Sequence, residues 1–407
     1  MDPSSAVSAD RPRAGSPLEV LWIFLKLGMT CFGGPIAHIG YFRDEFVVRR
    51  KWIDEQTYAD LVGLCQFLPG PASSQVGFSI GLMRAGYLGG LAAWTGFTLP
   101  SAAFLVLFAY GAGALTGPIG AGLLHGLKLT AVAIVAQAVW GMARNLCPDR
   151  ERASIAVAAA LMLLLLDTTS IAQIGAIVLG GLIGLLLCRG ETPAPSGHVE
   201  MPVSRATGLI SLGMFVILLA GLPVVRGLTG SINVALFEAF YRSGALVFGG
   251  GHVVLPLLRE AFVTPGWLSD DAFLAGYGAA QAVPGPLFTF AAYLGAAVAS
   301  GPHGLVGAAF GLVGIFLPGM LVLLGVLPFW DSLRKRVRAQ AMMRGVNAAV
   351  VGILGAALYD PVWTTTVHSS RDFGIALVGV VLLVVWRAPP LVVVVFSAVA
   401  GMAMAFA

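Results

Sequence analysis

The chain is 407 residues long, 57% hydrophobic and only 11% charged, with a mean hydropathy of +0.88 and a net charge of +4. Soluble domains carry about 25% charged residues, so this composition excludes a soluble globular protein and predicts an all-α integral membrane protein. The apolar runs are continuous rather than alternating, which argues against a barrel, and the modest charge gives no footing for nucleic acid.

Residues 1–16 are polar, with Arg11 and Arg13, and read as a cytoplasmic tail without a cleavable signal. Residues 18–31 are apolar and helical but short for a span, and they carry Lys26. Phe32-Gly33-Gly34-Pro35 then interrupts them: glycine frees the backbone and proline can open a new helix. Residues 36–50 form an amphipathic helix ending in Arg49, Arg50 and Lys51; 56–68 and 71–84 are a second broken pair around Pro69-Gly70-Pro71. Full spans follow at 88–113, 118–144, 153–167 and 170–188. A polar linker, 189–206, holds Pro193, Pro195 and Pro202, and leads into an apolar span at 207–228 that has no counterpart in the first half. The remaining segments are 231–248, 252–263, 271–283, 286–299, 304–328, 340–358, 372–387 and 389–406.

Two blocks occur twice. Phe32-Gly33-Gly34 returns as Phe248-Gly249-Gly250, 216 residues on, and Gln66-Phe67-Leu68-Pro69-Gly70-Pro71 returns as Gln281-Ala282-Val283-Pro284-Gly285-Pro286, 215 residues on. Constant spacing means a duplicated unit. The predicted division is a tail (1–16), a first repeat (17–189), a linker with one extra transmembrane helix (190–229) and a second repeat (230–407). Clusters of Arg and Lys mark cytoplasmic loops, and they fall at non-equivalent places: Arg144, Arg150 and Arg152 in one half, Arg334, Lys335, Arg336 and Arg338 in the other. The copies are therefore expected to be inverted, with broken or re-entrant helices, a cytoplasmic N-terminus and an outside C-terminus. The cations at 43–51 favour broken pairs that enter and return on the cytoplasmic side; the alternative is that every piece crosses. Nine spans stand in the first case and 13 in the second.

A helix that starts at membrane depth has free N–H groups and a positive dipole end, which an anion satisfies. Such starts follow Gly34, Gly70, Gly250 and Gly285. His38, Ser73, Ser74 and Gln75 sit within the first turns of the first-half starts; His252 and Thr289 do so in the second. The plainer alternative is that these glycines and prolines only permit close helix packing. Ionisable residues in apolar segments are functional candidates. Lys26 and Arg242 are equivalent and could together match a doubly charged anion, against the alternatives of snorkelling and of an Arg242–Glu238 pair one turn apart. Arg43 and Arg259 are equivalent too, each followed by an acid, and a structural ion pair at a hairpin base accounts for them as well. Asp60, Glu238 and Asp44 are candidate proton carriers. Cys31, Cys65, Cys147 and Cys188 have no metal or disulfide spacing. There is no nucleotide-binding loop, no metal cluster and no nucleophile–base pairing, so the chain is expected to be a transporter without cofactor rather than an enzyme.

The runs Phe32-Gly33-Gly34-Pro35-Ile36-Ala37-His38-Ile39-Gly40-Tyr41-Phe42-Arg43 and Gln66-Phe67-Leu68-Pro69-Gly70-Pro71-Ala72-Ser73-Ser74-Gln75 resemble the signature stretches of the chromate ion transporter family, long two-domain form. The resemblance covers the chain from about residue 15. It implies export of chromate across a bacterial-type inner membrane, driven by the proton motive force and giving chromate resistance, with sulfate as a competing look-alike. The alternatives are a passive or sulfate-type oxyanion channel or transporter and, of a different class, a membrane-embedded enzyme or scaffold; a homodimer is compatible with the resemblance. The second half departs from the pattern: Gly251 replaces Pro35, and Thr289 and Phe290 replace Ser74 and Gln75. The expected substrate-binding set is Lys26, Gly33, Gly34, Pro35, His38, Arg43, Gln66, Pro69, Gly70, Pro71, Ser73, Ser74, Gln75, Arg242, Gly249, Gly250, His252, Arg259, Gln281, Pro284, Gly285 and Pro286.

Overall fold

A computed structural model describes residues 15–32, 34–112, 117–166, 170–188, 202–248, 251–299, 301–330 and 336–405. Among these the chain forms sixteen α-helices and no strand. Five elements, 72–112, 117–146, 205–229, 304–329 and 337–363, are long and apolar enough to cross a membrane. The protein is an all-α integral membrane protein.

The first half begins with α1 (Pro17–Thr30), whose start is fixed by Pro17 and by the Ser16 hydroxyl accepting from Glu19 N–H. After the break come α2 (Gly34–Phe42), a π-turn extension (Arg43–Arg49), and α3 (Glu55–Phe67), which is capped by Asp54. α4 (Ala72–Ala112) is interrupted at Ala85 and Gly86, where Gly86 has φ +64, so it is two helices, as the sequence predicts for 71–84 and 88–113. They fold back tightly: a Cβ on Gly81 would overlap the Gly89 carbonyl oxygen, and one on Gly89 the Gly81 oxygen. α5 (Gly117–Leu146), α6 (Arg150–Leu165) and α7 (Ser170–Leu187) complete the half.

α8 (Arg205–Thr229) stands between the halves, capped by Ser204 and closed by Gly230 in the left-handed conformation. The second half repeats the plan as α9 (Ile232–Ala245), α10 (Val254–Phe262), α11 (Asp270–Ala282), α12 (Phe290–Ala297), α13 (Gly304–Val326), α14 (Val337–Ala357), α15 (Ser370–Val384) and α16 (Pro390–Met404). Glycines in the two halves do matching work. Gly28 lets α1 lie on the backbone of Gly96 and Phe97, and Gly244 lets α9 lie on Ile315; Gly295 and Gly307 close α12 onto α13 as Gly81 and Gly89 close α4 onto itself.

The contacts locate the ends of the bundle. One recess is lined by Gly15, Trp52, Ile53, Arg84, Gly86 and Pro202. Gly15 N–H donates to the Arg84 carbonyl (3.0 Å), and the Arg84 guanidinium lies 4.7 Å from the Trp52 ring centre. The start of α1, the loop after α2, the turn of α4 and the approach to α8 therefore share this first end. Both broken pairs of the first half leave it and return to it as hairpins, with their tips inside the bundle. Tyr110, near the far end of α4, meets Gly304 at the start of α13, and Gly301 beside it packs on Ile232 at the start of α9. These belong to the second end. α15 and α16 also hang from the second end: His125, early in α5, binds Asp372 of α15 (2.7 Å), and Gly122 of α5 packs on Gly401 of α16. Their connecting turn reaches back toward the hairpin tips.

Two aromatic clusters fix the hairpins. In the first half Phe24 stacks on Phe46 (5.0 Å) and Phe42 meets Phe97 edge-on (5.0 Å); in the second Phe290 packs against Phe273, Tyr277 and Tyr293. Such pairs add about 0.5–1.5 kcal/mol each beyond the area they bury.

Candidate functional site

The breaks meet at the middle of the molecule, and each is completed by the other half. Gly70 N–H donates to the Val247 carbonyl (2.8 Å), and Gly285 N–H donates to the Cys31 carbonyl (2.9 Å). Val247 and Cys31 immediately precede the two Phe-Gly-Gly blocks, so the bonds are reciprocal across the duplication. Gly70 has φ +115 and Gly285 φ +100, which only glycine adopts without strain. Both also lie against the other half's proline-containing helix. A Cβ on Gly70 would sit 2.9 Å from Gly319 Cα, beside Pro318; one on Gly285 would sit 2.9 Å from Ser101 Oγ, beside Pro100. Pro69, Pro71, Pro284 and Pro286 frame these turns. The amide hydrogens of Gly70 and Gly285 are thus occupied by protein carbonyls rather than held open.

Around this interlock lie buried polar atoms without partners. His38 is fully buried; its Nδ1 is 3.4 Å from Ser73 Oγ and its ring meets Phe97 edge-on, while Nε2 has no hydrogen-bond partner. Ser74 Oγ, Gln75 Oε1 and Gln281 Nε2 are also buried and unpartnered. Gln75 Nε2 donates to the carbonyls of Pro69 and Gly319, both at 2.9 Å, tying the first break to α13. In the second half Thr289 closes locally onto Pro286 (2.7 Å), and His252 Nδ1 pairs with the Tyr277 hydroxyl (2.8 Å). Unsatisfied buried polar groups cost about 1–3 kcal/mol each unless a ligand or water meets them.

A cavity of about 580 Å³ opens beside the tips. Its polar lining is Tyr41, Gln137, His252, Gln281 and Arg387, with Gly34 (φ +76) at the start of α2. Water occupies about 30 Å³ per molecule, so a small anion fits there with part of its hydration shell. Pro35, next in the chain, lies against Gly251 of the second half. No group of three or more metal-ligating side chains occurs among the described residues.

The charged candidates divide. Arg242 Nε binds Glu238 (2.7 Å), which also takes Arg226 (3.1 Å), so the one-turn pair anticipated from the sequence forms. Lys26 is exposed on the outer face of α1, in line with exposed Trp22 and Met29. Neither Lys26 nor Arg242 lines the cavity. Arg43 binds Glu55 (2.7 Å) and Arg259 binds Asp270 (2.7 Å); both equivalent arginines fasten a hairpin to the first turn of the next helix. Asp44 is solvent-facing, 3.9 Å from Arg43, whereas Asp60 is buried within α3. Gln66 is exposed, unlike its counterpart Gln281. Gly33, Gly249 and Gly250 lie outside the described residues.

The profile of the chromate transporter family matches the chain twice, over residues 18–185 and 234–402. The chain belongs to the chromate transporter family. It is 31% identical to the chromate transport protein of Pseudomonas aeruginosa, with 98% of this chain and 95% of that protein aligned. It is 28% identical to the probable chromate transport protein of Synechococcus elongatus (93% of each) and 26% identical to the chromate transport protein of Cupriavidus metallidurans (84% and 81%). No solved structure matches. Two cavity residues of this chromate transporter family member, Gln137 and Arg387, escape the sequence reading. Arg387 falls at the junction of two predicted spans, where a cation reads as a loop charge.

Proposed function

We propose that this protein is a secondary active exporter of chromate, driven by the proton motive force, built from two inverted-topology repeats that meet at their helix breaks. The observation that carries the reading is the reciprocal pair of bonds, Gly70 to Val247 and Gly285 to Cys31. An inverted duplication brings equivalent tips together at one axis, and reciprocal contacts between equivalent residues are what such an axis produces. The hairpins of the first half open toward Gly15, and the turn joining α12 to α13 lies with Tyr110 at the far end. α8 supplies the single additional crossing. Membership of the family names the substrate class, and the polar, cation-bearing cavity beside the tips suits a tetrahedral dianion.

In this reading the N-terminus is cytoplasmic, the protein lies in the inner membrane, and chromate loads from the end that carries Gly15. Sulfate, of the same shape and charge, competes. Asp60 and Glu238, both buried, are the carboxylates assigned to the coupled proton. Everted membrane vesicles test the proposal. Saturable chromate accumulation that collapses on adding an uncoupler is the expected result. Flux that follows the anion gradient alone, indifferent to the uncoupler, would indicate a channel and overturn the coupled mechanism.

A further inference from the structure

We infer that Arg387 is the cation that receives the oxyanion at the mouth of the translocation path. The inference rests on the oxyanion-transport reading above and assigns it a residue. Three observations carry it.

The first is position. Arg387 lines the cavity together with Gly34 from the first half and with His252 and Gln281 from the second. The cavity extends from the tips toward the first end of the bundle. Tyr41 lies on α2 between the tip and the loop after it, and Gln137 lies nine residues before the end of α5. An exporter loads its substrate from that end.

The second is charge. Arg84, Lys128, Arg242 and Arg259 each hold a carboxylate, whereas among the described residues Arg387 makes no salt bridge and no Asp or Glu lines the cavity. Gln281 Nε2 is a buried donor without an acceptor. A guanidinium fork matches two oxygens of a tetrahedral dianion, and the amide can take a third. An unpaired guanidinium and a buried amide donor on one cavity wall can hold an oxyanion between them.

The third is backbone. Arg387 has φ +53, in the left-handed region where glycine or asparagine is usual. Ala388 N–H closes the turn onto the Leu382 carbonyl (2.9 Å), and Pro389 and Pro390 fix the exit into α16. A non-glycine residue held in that conformation fits a side chain kept for where it stands.

Arg387→Asn removes the charge while suiting the turn; Arg387→Lys keeps the charge without the fork. Purified full-length protein in detergent free of added phospholipid is titrated with chromate, and separately with sulfate, using thermal stabilisation as the readout. Transport is measured in everted vesicles over a range of chromate concentrations. Expected for Arg387→Asn is a rise of at least about tenfold in the half-saturating concentration in both assays, with the maximal rate within about twofold; Arg387→Lys rises only a few-fold. A wild-type half-saturating concentration for Arg387→Asn in both assays overturns the inference, as does stabilisation that depends on Arg387 only when anionic phospholipid is added. If chromate neither moves nor stabilises the wild type, yet sulfate stabilises it through Arg387, the anion site stands and the chromate reading fails.

Discussion

Replacing Gly70 by alanine tests the interlock at the centre of the molecule. At φ +115 an L-residue is strained by about 1–3 kcal/mol. The new Cβ would lie 2.9 Å from Gly319 Cα and 3.1 Å from Gln75 Nε2. The amide can swing aside only by loosening its bonds to Pro69 and Gly319; the Gly319 backbone has no such freedom. Overpacking of this kind costs about 1–3 kcal/mol. We therefore predict a loss of about 4 kcal/mol, which for a chain of this length lowers the midpoint by roughly 5 °C on per-residue entropies. Gly34→Ala is the matched control: its φ is +76, but nothing lies within 4 Å of the added methyl, leaving only about 1–2 kcal/mol of backbone strain. The assay is the loss of the monodisperse peak on heating detergent-solubilised protein at a fixed rate, since unfolding of such proteins is commonly irreversible. Gly285→Ala, pressed on Ser101 and Phe97, should match Gly70→Ala. Equal losses for Gly70→Ala and Gly34→Ala would refute the claim that contact with the opposite half fixes the break.

Gln75→Leu should cost about 2 kcal/mol by removing the two donations that tie Pro69 to Gly319, measured by the same heating assay. Arg43→Ala should change stability by less than about 1 kcal/mol, because its pair with Glu55 is about half exposed on both sides. Arg242→Ala should be far worse, about 3 kcal/mol, since Glu238 is only 4% exposed and would keep a single partner, Arg226; a neutral outcome would show that Arg226 alone satisfies the buried carboxylate. Lys26→Ala, on the outer face of α1, should keep more than half of wild-type transport; complete loss would restore the paired-cation arrangement. Cysteines placed near Arg150 and near Arg336 should both resist an impermeant thiol reagent in intact cells, and labelling of either contradicts the inverted arrangement.

Much of the framework was legible because local chemistry dictates it. The breaks at Gly34, Gly70 and Gly285 need backbone conformations that only glycine tolerates, and proline marks where the next helix begins. Helix starts at Ser16, Asp54, Ser204 and Ser269 follow from capping side chains. The turn inside α4, at Ala85 and Gly86, falls in the gap between the predicted segments 71–84 and 88–113. What the sequence concealed depends on contacts between residues far apart in the chain. Nothing near Gly70 announces that its N–H goes to Val247, or that Arg43 chooses Glu55 over its neighbour Asp44. Lys26 and Arg242 are equivalent in sequence, yet burial separates them: one faces outward and the other is held by Glu238. Gln66 and Gln281 diverge in the same way. Arg387 was hidden because an arginine between two apolar runs has the same sequence signature whether it lies at a membrane surface or turns into a cavity.

The reciprocal bonds have a consequence for synthesis. Gly70 and Val247, like Cys31 and Gly285, cannot meet until the second half exists. At roughly 5–20 residues per second, the ribosome needs about 10–40 s to travel the 215 residues from Gly70 to Gly285. During that interval the first half sits in the bilayer with its amide and carbonyl at the tips unanswered, a condition lipid does not tolerate. The nascent first half must then keep its tips wet or sheltered until its twin arrives. Separately translated halves should recover transport only when present together, each acting as the missing wall of the other.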